Sequence, residues 1–231
     1  MINHLQQVLV NARFFHQERR LEWAQQKSSW SARRWSTVVF SDESKFCLGQ
    51  SRTQYVRRPY ACRYSESYVC SIPNRSVAHA MVWGAFSING FTDLVRIENR
   101  LNAEQYTNIL AQHLVPIWPT MTQGNGIFQH DNAPIHTALQ TQTFLRQNAV
   151  NTLDWPPYSP DMNPIENVWG RMELKLQREY ENPANSDELF ATLEEIWREL
   201  MEVHGYRQSL IHSMTDRVEE LLRVDGSVTR Y

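Results

Sequence analysis

The chain has 231 residues, 42% of them hydrophobic and 11% aromatic, too apolar for a disordered chain. Its ten prolines and eight glycines are too few for collagen-like or linker-rich classes, no apolar run nears the ~18 residues of a membrane span, and the opening Met1-Ile2-Asn3-His4-Leu5 is not a signal peptide. A net charge of −2, from 25 acidic and 23 basic residues, argues on average against a nucleic-acid partner, while three cysteines without a CxxC pair (Cys47, Cys62, Cys70) argue against a zinc site or a disulfide scaffold and fit a reducing compartment.

Residues 2–28 read as a helix, because Leu5, Val8, Leu9, Ala12 and Phe15 recur near period 3.6 with no Pro or Gly to interrupt them. A loop or short turn spans Trp30 to Trp35. Thr37-Val38-Val39-Phe40 opens a strand that runs into Ser41-Asp42-Glu43-Ser44-Lys45-Phe46. Residues 48–78 lack periodicity and read as a long loop. A second strand covers 80–87, an Asn89-Gly90 turn follows, and 92–97 returns as the other half of a hairpin. Asn102 caps a predicted helix over about 103–114. A short strand, 126–130, ends at Asp131. A helix is expected over 136–147, a last strand over 151–155, a Pro-rich connection from Pro156 to Pro164, and helices over 164–180, 186–203 and 206–222. Strands first, then alternating helix and strand, then helices predict a mixed α/β sheet with helices packed on it. Trp23, Trp30, Trp35, Trp83 and Trp169 read as core residues.

Three acids stand at the ends of these elements. Asp42 lies on the first strand, Asp131 directly follows the short fourth strand, and Glu166 sits in the first turn of the helix that begins at Pro164. Carboxylates are hard oxygen ligands suited to Mg²⁺ or Mn²⁺, and two such ions about 4 Å apart clamp the attacking and leaving oxygens of a phosphoryl transfer. Each acid also has a structural reading. Asp42 can be a solvated strand residue beside Glu43, and Asp131-Asn132-Ala133-Pro134 can be a turn. Asn163-Pro164-Ile165-Glu166 has the spacing of a capping box, which makes Glu166 on spacing alone a capping glutamate. His130 and His136 flank Asp131 with no third soft ligand at zinc spacing, and His136 reads as structural or as a DNA contact.

The contexts of the acids carry more information than their spacing. Ser41-Asp42-Glu43-Ser44-Lys45-Phe46, then Phe128-Gln129-His130-Asp131-Asn132-Ala133-Pro134-Ile135-His136-Thr137-Ala138, then the run from Trp155 through Ser159-Pro160-Asp161-Met162-Asn163-Pro164-Ile165-Glu166 to Trp169 closely resemble the three catalytic blocks of the Tc/mariner transposase superfamily. The 34 residues between Asp131 and Glu166 (132 to 165), with Glu as the third acid, resemble the Tc branch; mariner proper has Asp there. Val82-Trp83-Gly84, the segment from Leu101 to Leu110, and Arg20-Leu21-Glu22-Trp23-Ala24 also fit, so the resemblance covers about residues 15–205.

The resemblance implies a ribonuclease H-like fold, a five-stranded mixed sheet flanked by helices. It divides the chain into a helical lead-in arm (1–35), a DDE catalytic domain (36–205) and a C-terminal helix and tail (206–231). It implies cut-and-paste DNA transposition with two Mg²⁺ (or Mn²⁺) ions. Asp42 would bridge both ions, and Asp131 and Glu166 would each complete one. The loop at 45–78 would reach towards a partner subunit and DNA, with Arg52, Arg57, Arg58 and Arg63 as phosphate contacts and His136 as a further DNA contact. The Ser-Pro-rich stretch before Glu166 would wall the site. The partners implied are transposon-end DNA, a TA-type target and a second copy of the chain, in the nucleus, with no membrane and no small-molecule cofactor.

Charge segregation accommodates such a partner. Residues 1–35 carry a net +4, residues 45–78 hold six basic residues against one acid, and residues 181–231 carry a net −6. Only three of the 23 basic residues are lysine, and arginine grips phosphate in bidentate fashion. Superfamily members carry two helix-turn-helix units before the core, for which there is no room before Phe15, so weak, non-specific and salt-sensitive DNA binding is expected. The sequence leaves open a competent catalytic core, a non-catalytic remnant acting as a DNA-binding or protein-interaction module, and a different ribonuclease H-like nuclease.

Overall fold

The first strand, β1 (Val38–Cys47), is the centre of the fold, and its alternation divides the interior in two. Val38, Phe40 and Phe46 point to one side of the sheet and Val39 to the other, as the two-residue period of a strand requires. The computed structural model describes residues 4–47, 78–180 and 183–231. The predicted loop at 48–78, and with it Arg52, Arg57, Arg58 and Arg63, lies outside the described residues except for Ala78.

β1 pairs antiparallel with β2 (His79–Phe86), which pairs antiparallel with β3 (Val95–Ile97). On its other side β1 runs parallel to β4 (Ile127–Gln129), and β4 runs parallel to β5 (Asn151–Thr152). The five-stranded order is β3-β2-β1-β4-β5, the mixed sheet that the sequence pattern predicts. The hairpin turn forms at the expected place, with Ser87 N–H donating to the Gly90 carbonyl at 2.8 Å. Its return strand is shorter than predicted, because Thr92 places its hydroxyl, not its carbonyl, where it accepts the Ala85 N–H at 3.0 Å.

Two helical layers close the sheet. On the face of Phe40 and Val82 lie α1 (His4–Lys27), α2 (Ala32–Trp35), α7 (Ile165–Glu179), α8 (Ser186–Glu202) and α9 (Tyr206–Arg223). On the face of Val39 and Trp83 lie α3 (Ala103–Ile109) and α6 (Leu139–Gln147), with α4 (Trp118–Thr122) and α5 (Pro134–Thr137) beside them. Trp23, Trp35, Trp83 and Trp169 are buried and Trp30 partly buried against the core, as read from the sequence.

Three local departures have plain causes. The helix capped by Asn102 forms a capping box with Gln105, but after Ile109 it widens into a π turn (Leu110–Leu114) and tightens into a 3-10 turn (Val115–Ile117). Pro116 lacks the N–H that would continue an α-helix. The helix predicted over 136–147 begins earlier, at Pro134, and breaks at Ala138, whose ψ of 142° is extended. The last strand keeps only two residues before the chain turns into its proline run.

Candidate active site

Pair register sets the site. Phe40 of β1 lies opposite Gln129 of β4 in a parallel pair. Two residues further along each chain stand Asp42 and Asp131, so the ladder brings both acids to the same level beside one another. The third acid arrives on α7, which packs Ile165, Val168, Trp169, Met172 and Leu176 into the core at helical spacing. Asn163 pins the start of that helix to β1. Its Nδ2 donates to the Ser41 carbonyl at 3.1 Å, while its Oδ1 accepts the Ile165 N–H at 3.3 Å. Glu166 therefore begins its helix one bond away from the strand residue that precedes Asp42.

The capping-box reading of Glu166 is corrected here. α7 starts after Pro164 without a side-chain cap, and the Glu166 carboxyl lines the cleft with Asp42 instead of returning to the Asn163 N–H. Strand alternation makes the parallel distinction at 42 and 43. Asp42 shares the face of Phe40 and of α7, whereas Glu43 shares the face of Val39 and points towards His136, its Oε1 3.4 Å from His136 Nε2.

A cleft of about 540 Å³ is lined by Asp42, Glu43, Asp131 and Glu166 on one side and by Trp155 to Pro160 on the other. No lysine or arginine appears in that lining, among the described residues. Burial, followed by the charges of Glu43 and Glu166, pushes the Asp42 carboxyl up to about 8. Burial raises Glu166 as well, against the opposing hydrogen bond with Asp42. These two carboxyls are thus harder to ionise together than either would be alone. Burial would raise Asp131 too, but hydrogen bonds from His136 and from the Ala133 N–H prevail and hold it below the ordinary carboxylate range. Among the described residues no three His, Cys, Asp or Glu side chains have already converged to metal-ligand spacing. What is present is a crowded set of oxygen donors with no lysine or arginine among the described residues of the cleft lining, an environment that a hard divalent cation fits.

Against that geometry the similarity to known proteins can be stated. The profile of the family described as DDE superfamily endonuclease matches residues 37–189. The Tcb1 transposable-element transposase of Caenorhabditis briggsae is 36% identical over 92% of this chain and 77% of its own length. The Tc1 transposase of Caenorhabditis elegans is 35% identical over the same shares. The chain belongs to the Tc1/mariner transposase family. Its fold is that of the Mos1 mariner transposase catalytic domain, a ribonuclease H-like fold, with a TM-score of 0.69 at 20% identity over 93% of this chain and 96% of that one. A Mos1 paired-end complex with Mg gives a TM-score of 0.74 at 21% identity over 93% of this chain and 64% of that one.

In this transposase domain the three acids singled out from sequence face one cleft. His136, expected among the DNA contacts, is corrected to an interior residue. It is 2% exposed and donates from Nδ1 to Asp131 Oδ1 at 2.6 Å. Burial would lower its pKa, but the hydrogen bond with Asp131 and the nearby Glu43 carboxylate win and raise it to about 9. Below it, buried Tyr106 packs its ring 4.3 Å from that of His136 and pairs its hydroxyl with His130 Nδ1 at 3.1 Å. Burial and the neighbouring His136 push His130 down to about 3, so it is neutral. Sequence reasoning missed Glu43 and Tyr106 as parts of the site. The signal for Glu43 was available, because adjacent strand residues face opposite sides. Tyr106 comes from a helix distant in sequence and carried no such signal.

Proposed function

We propose that this chain performs the strand cleavage and strand transfer of cut-and-paste DNA transposition with two divalent ions, Mg²⁺ or Mn²⁺, held by Asp42, Asp131 and Glu166. The observation that carries this reading is the cleft itself, where carboxylates from β1, the end of β4 and the first turn of α7 meet with no lysine or arginine in the lining among the described residues. Related domains support it, since Mos1 structures are described with Mg and with Mn, and others as paired-end complexes with a transposon end.

Asp42, flanked by Glu166 and Asp131, is the candidate to serve both ions, with Glu166 and Asp131 completing one each. When bound, the ions supply activation of the attacking water or 3′-hydroxyl and stabilisation of the leaving oxygen. The chain's own residues do the rest. Asp42 and Glu166 would hold the ions as carboxylates, the charged form that burial and mutual repulsion disfavour without a cation. Ala133 N–H and His136 fix Asp131. The proline-rich wall, with Pro156, Pro157 and Pro160 each locked in φ, narrows the cleft around the scissile phosphate. Arg52, Arg57, Arg58 and Arg63 would grip backbone phosphates without reading sequence. The same reading has the chain act as a homodimer on transposon ends and insert at a TA-type target, in the nucleus where that DNA resides.

The test is nicking and strand transfer on pre-cut transposon-end DNA. Activity that requires Mg²⁺ or Mn²⁺ and disappears in Asp131→Asn supports the reading. No metal-dependent activity, with Asp131→Asn indistinguishable from the wild type, overturns it in favour of a binding module.

A further inference from the structure

We propose that Glu43 and His136 form a positioning chain for Asp131, assigning one of its carboxylate oxygens to the protein and reserving the other for the metal. The proposal rests on the reading of Asp131 as a metal ligand and extends it to two residues outside the acid triad.

Three observations carry it. First, Asp131 Oδ1 is saturated by protein donors: the Ala133 N–H at 2.8 Å and His136 Nδ1 at 2.6 Å. No protein donor reaches Oδ2 among the described residues, and the Asp131 side chain remains 55% exposed along the cleft. Of two chemically equal oxygens, one is thus committed and one is free. Second, the His136 ring cannot easily turn. It is held between Tyr106, at 4.3 Å, and a stacked His130, at 5.0 Å and 17°. Third, the far nitrogen, Nε2, lies 3.4 Å from Glu43 Oε1, within ion-pair distance, and both atoms are buried with no hydrogen-bond partner of their own. With an acceptor carboxylate facing each nitrogen, the ring keeps an N–H at both, and Glu43 behind it holds the ring with Nδ1–H aimed at Asp131. The imidazole in turn orients a carboxylate. Strand parity makes this possible, since Asp42 and Glu43 leave β1 on opposite faces, Glu43 on the one that meets His136.

A purely structural His136 would fill space beside Tyr106, and any side chain of similar bulk would then serve. A positioning His136 is needed for its donor. Leucine keeps the bulk and removes the donor, whereas asparagine keeps an N–H close to the position of Nδ1. The experiment measures Mn²⁺ binding to the whole chain by calorimetry, alongside the Mn²⁺ dependence of cleavage and the melting temperature. For His136→Leu the expected result is Mn²⁺ binding weakened about 10- to 100-fold, with the apparent KM for Mn²⁺ raised and kcat at saturating Mn²⁺ largely kept. His136→Asn should recover most of the affinity. If His136→Leu does not fold, Glu43→Gln carries the test, with a several-fold weaker binding expected and the same KM-against-kcat split. Wild-type Mn²⁺ affinity in His136→Leu or, failing that variant, in Glu43→Gln overturns the proposal, as does an asparagine variant no better than leucine. Asp131→Asn separates the two levels. If it binds Mn²⁺ like the wild type, the metal reading itself falls; if it loses binding while His136→Leu does not, only the positioning chain falls.

Discussion

Arg20 of α1 and Asp161, five residues before Glu166, form a bidentate ion pair with bonds of 2.8 and 2.7 Å and side chains only 5% and 6% exposed. Around it, Arg20 also donates to Ser159 Oγ and to the carbonyls of Tyr158, Gly226 and Ser227. Asp161 Oδ2 accepts from both the N–H and the hydroxyl of Thr229. Arg217 of α9 donates to the Asp161 carbonyl at 2.6 Å and to Asn167 Oδ1. Lead-in helix, cleft wall and C-terminal tail are thereby fastened at one buried point next to the helix that carries Glu166.

Removing one partner of this pair leaves the other buried and unpaired. Asp161→Asn should therefore destabilise the fold by about 3–5 kcal/mol, read as a lower urea midpoint at constant m-value. The pH dependence follows from the sign of the shift. Burial would raise the Asp161 carboxyl, but Arg20 and Thr229 outweigh it and hold the folded-state pKa below the ordinary value. The stabilisation is then fully present above the unfolded carboxylate pKa of about 3.9 and is lost as pH falls through the lower folded value. Wild type should lose stability below about pH 4 more steeply than Asp161→Asn.

The carboxylates of the cleft make the opposite prediction. Asp42 is raised to about 8 by burial and by Glu43 and Glu166, so the metal-free protein should lose stability as pH rises from about 4 to 8. Asp42→Asn removes the repulsion and should stabilise the metal-free chain by about 1–2 kcal/mol at pH 8, after allowance for the partial exposure of the site, while abolishing cleavage. Melting curves across pH with and without Mn²⁺ check both halves. The wild-type slope should flatten when Mn²⁺ is added, and the variant should show both a shallower slope and a smaller response.

Gly84 lies opposite Asp42 in the β1–β2 register. A Cβ there would come within 3.0 Å of Trp197 and 3.2 Å of Trp169, whose rings stack at 5.3 Å. Gly84→Ala should cost about 1–3 kcal/mol through overpacking. It should also shift tryptophan fluorescence, because the displaced indoles belong to α7 and α8 and α7 positions Glu166.

Gly226 is required for two reasons. Its φ of +78° favours glycine, and a Cβ would stand 2.2 Å from the Gln17 carbonyl oxygen on α1. Gly226→Ala should detach the tail from Arg20 and expose its amides, seen as faster hydrogen exchange at residues 225–231 with the sheet unchanged.

Much of this arrangement was legible in the sequence, for physical reasons that differ by element. β1, β2, α7, α8 and α9 have long, strongly patterned runs, and the structure places them within a few residues of expectation. The acids at 42, 131 and 166 stood out because short motifs surround each of them. What escaped was non-local. Glu166 reads equally as a helix cap until the fold brings Asp42 beside it. His136 reads as either structural or a DNA contact until Tyr106, thirty positions earlier, packs against its ring. Arg20 and Asp161 are separated by 141 positions, and nothing in either neighbourhood announces the other.

The most direct test of the metal-dependent chemistry places sulfur at the scissile phosphate of a transposon-end duplex and compares cleavage in Mg²⁺ and Mn²⁺. Carboxylate-held ions that contact that phosphate predict a sulfur-substituted substrate cut poorly in Mg²⁺, a hard ion, and substantially rescued by the softer Mn²⁺, with no cleavage by Asp42→Asn under either condition. Cleavage that is indifferent to sulfur and to the choice of metal, or that survives in Asp42→Asn, would contradict the account.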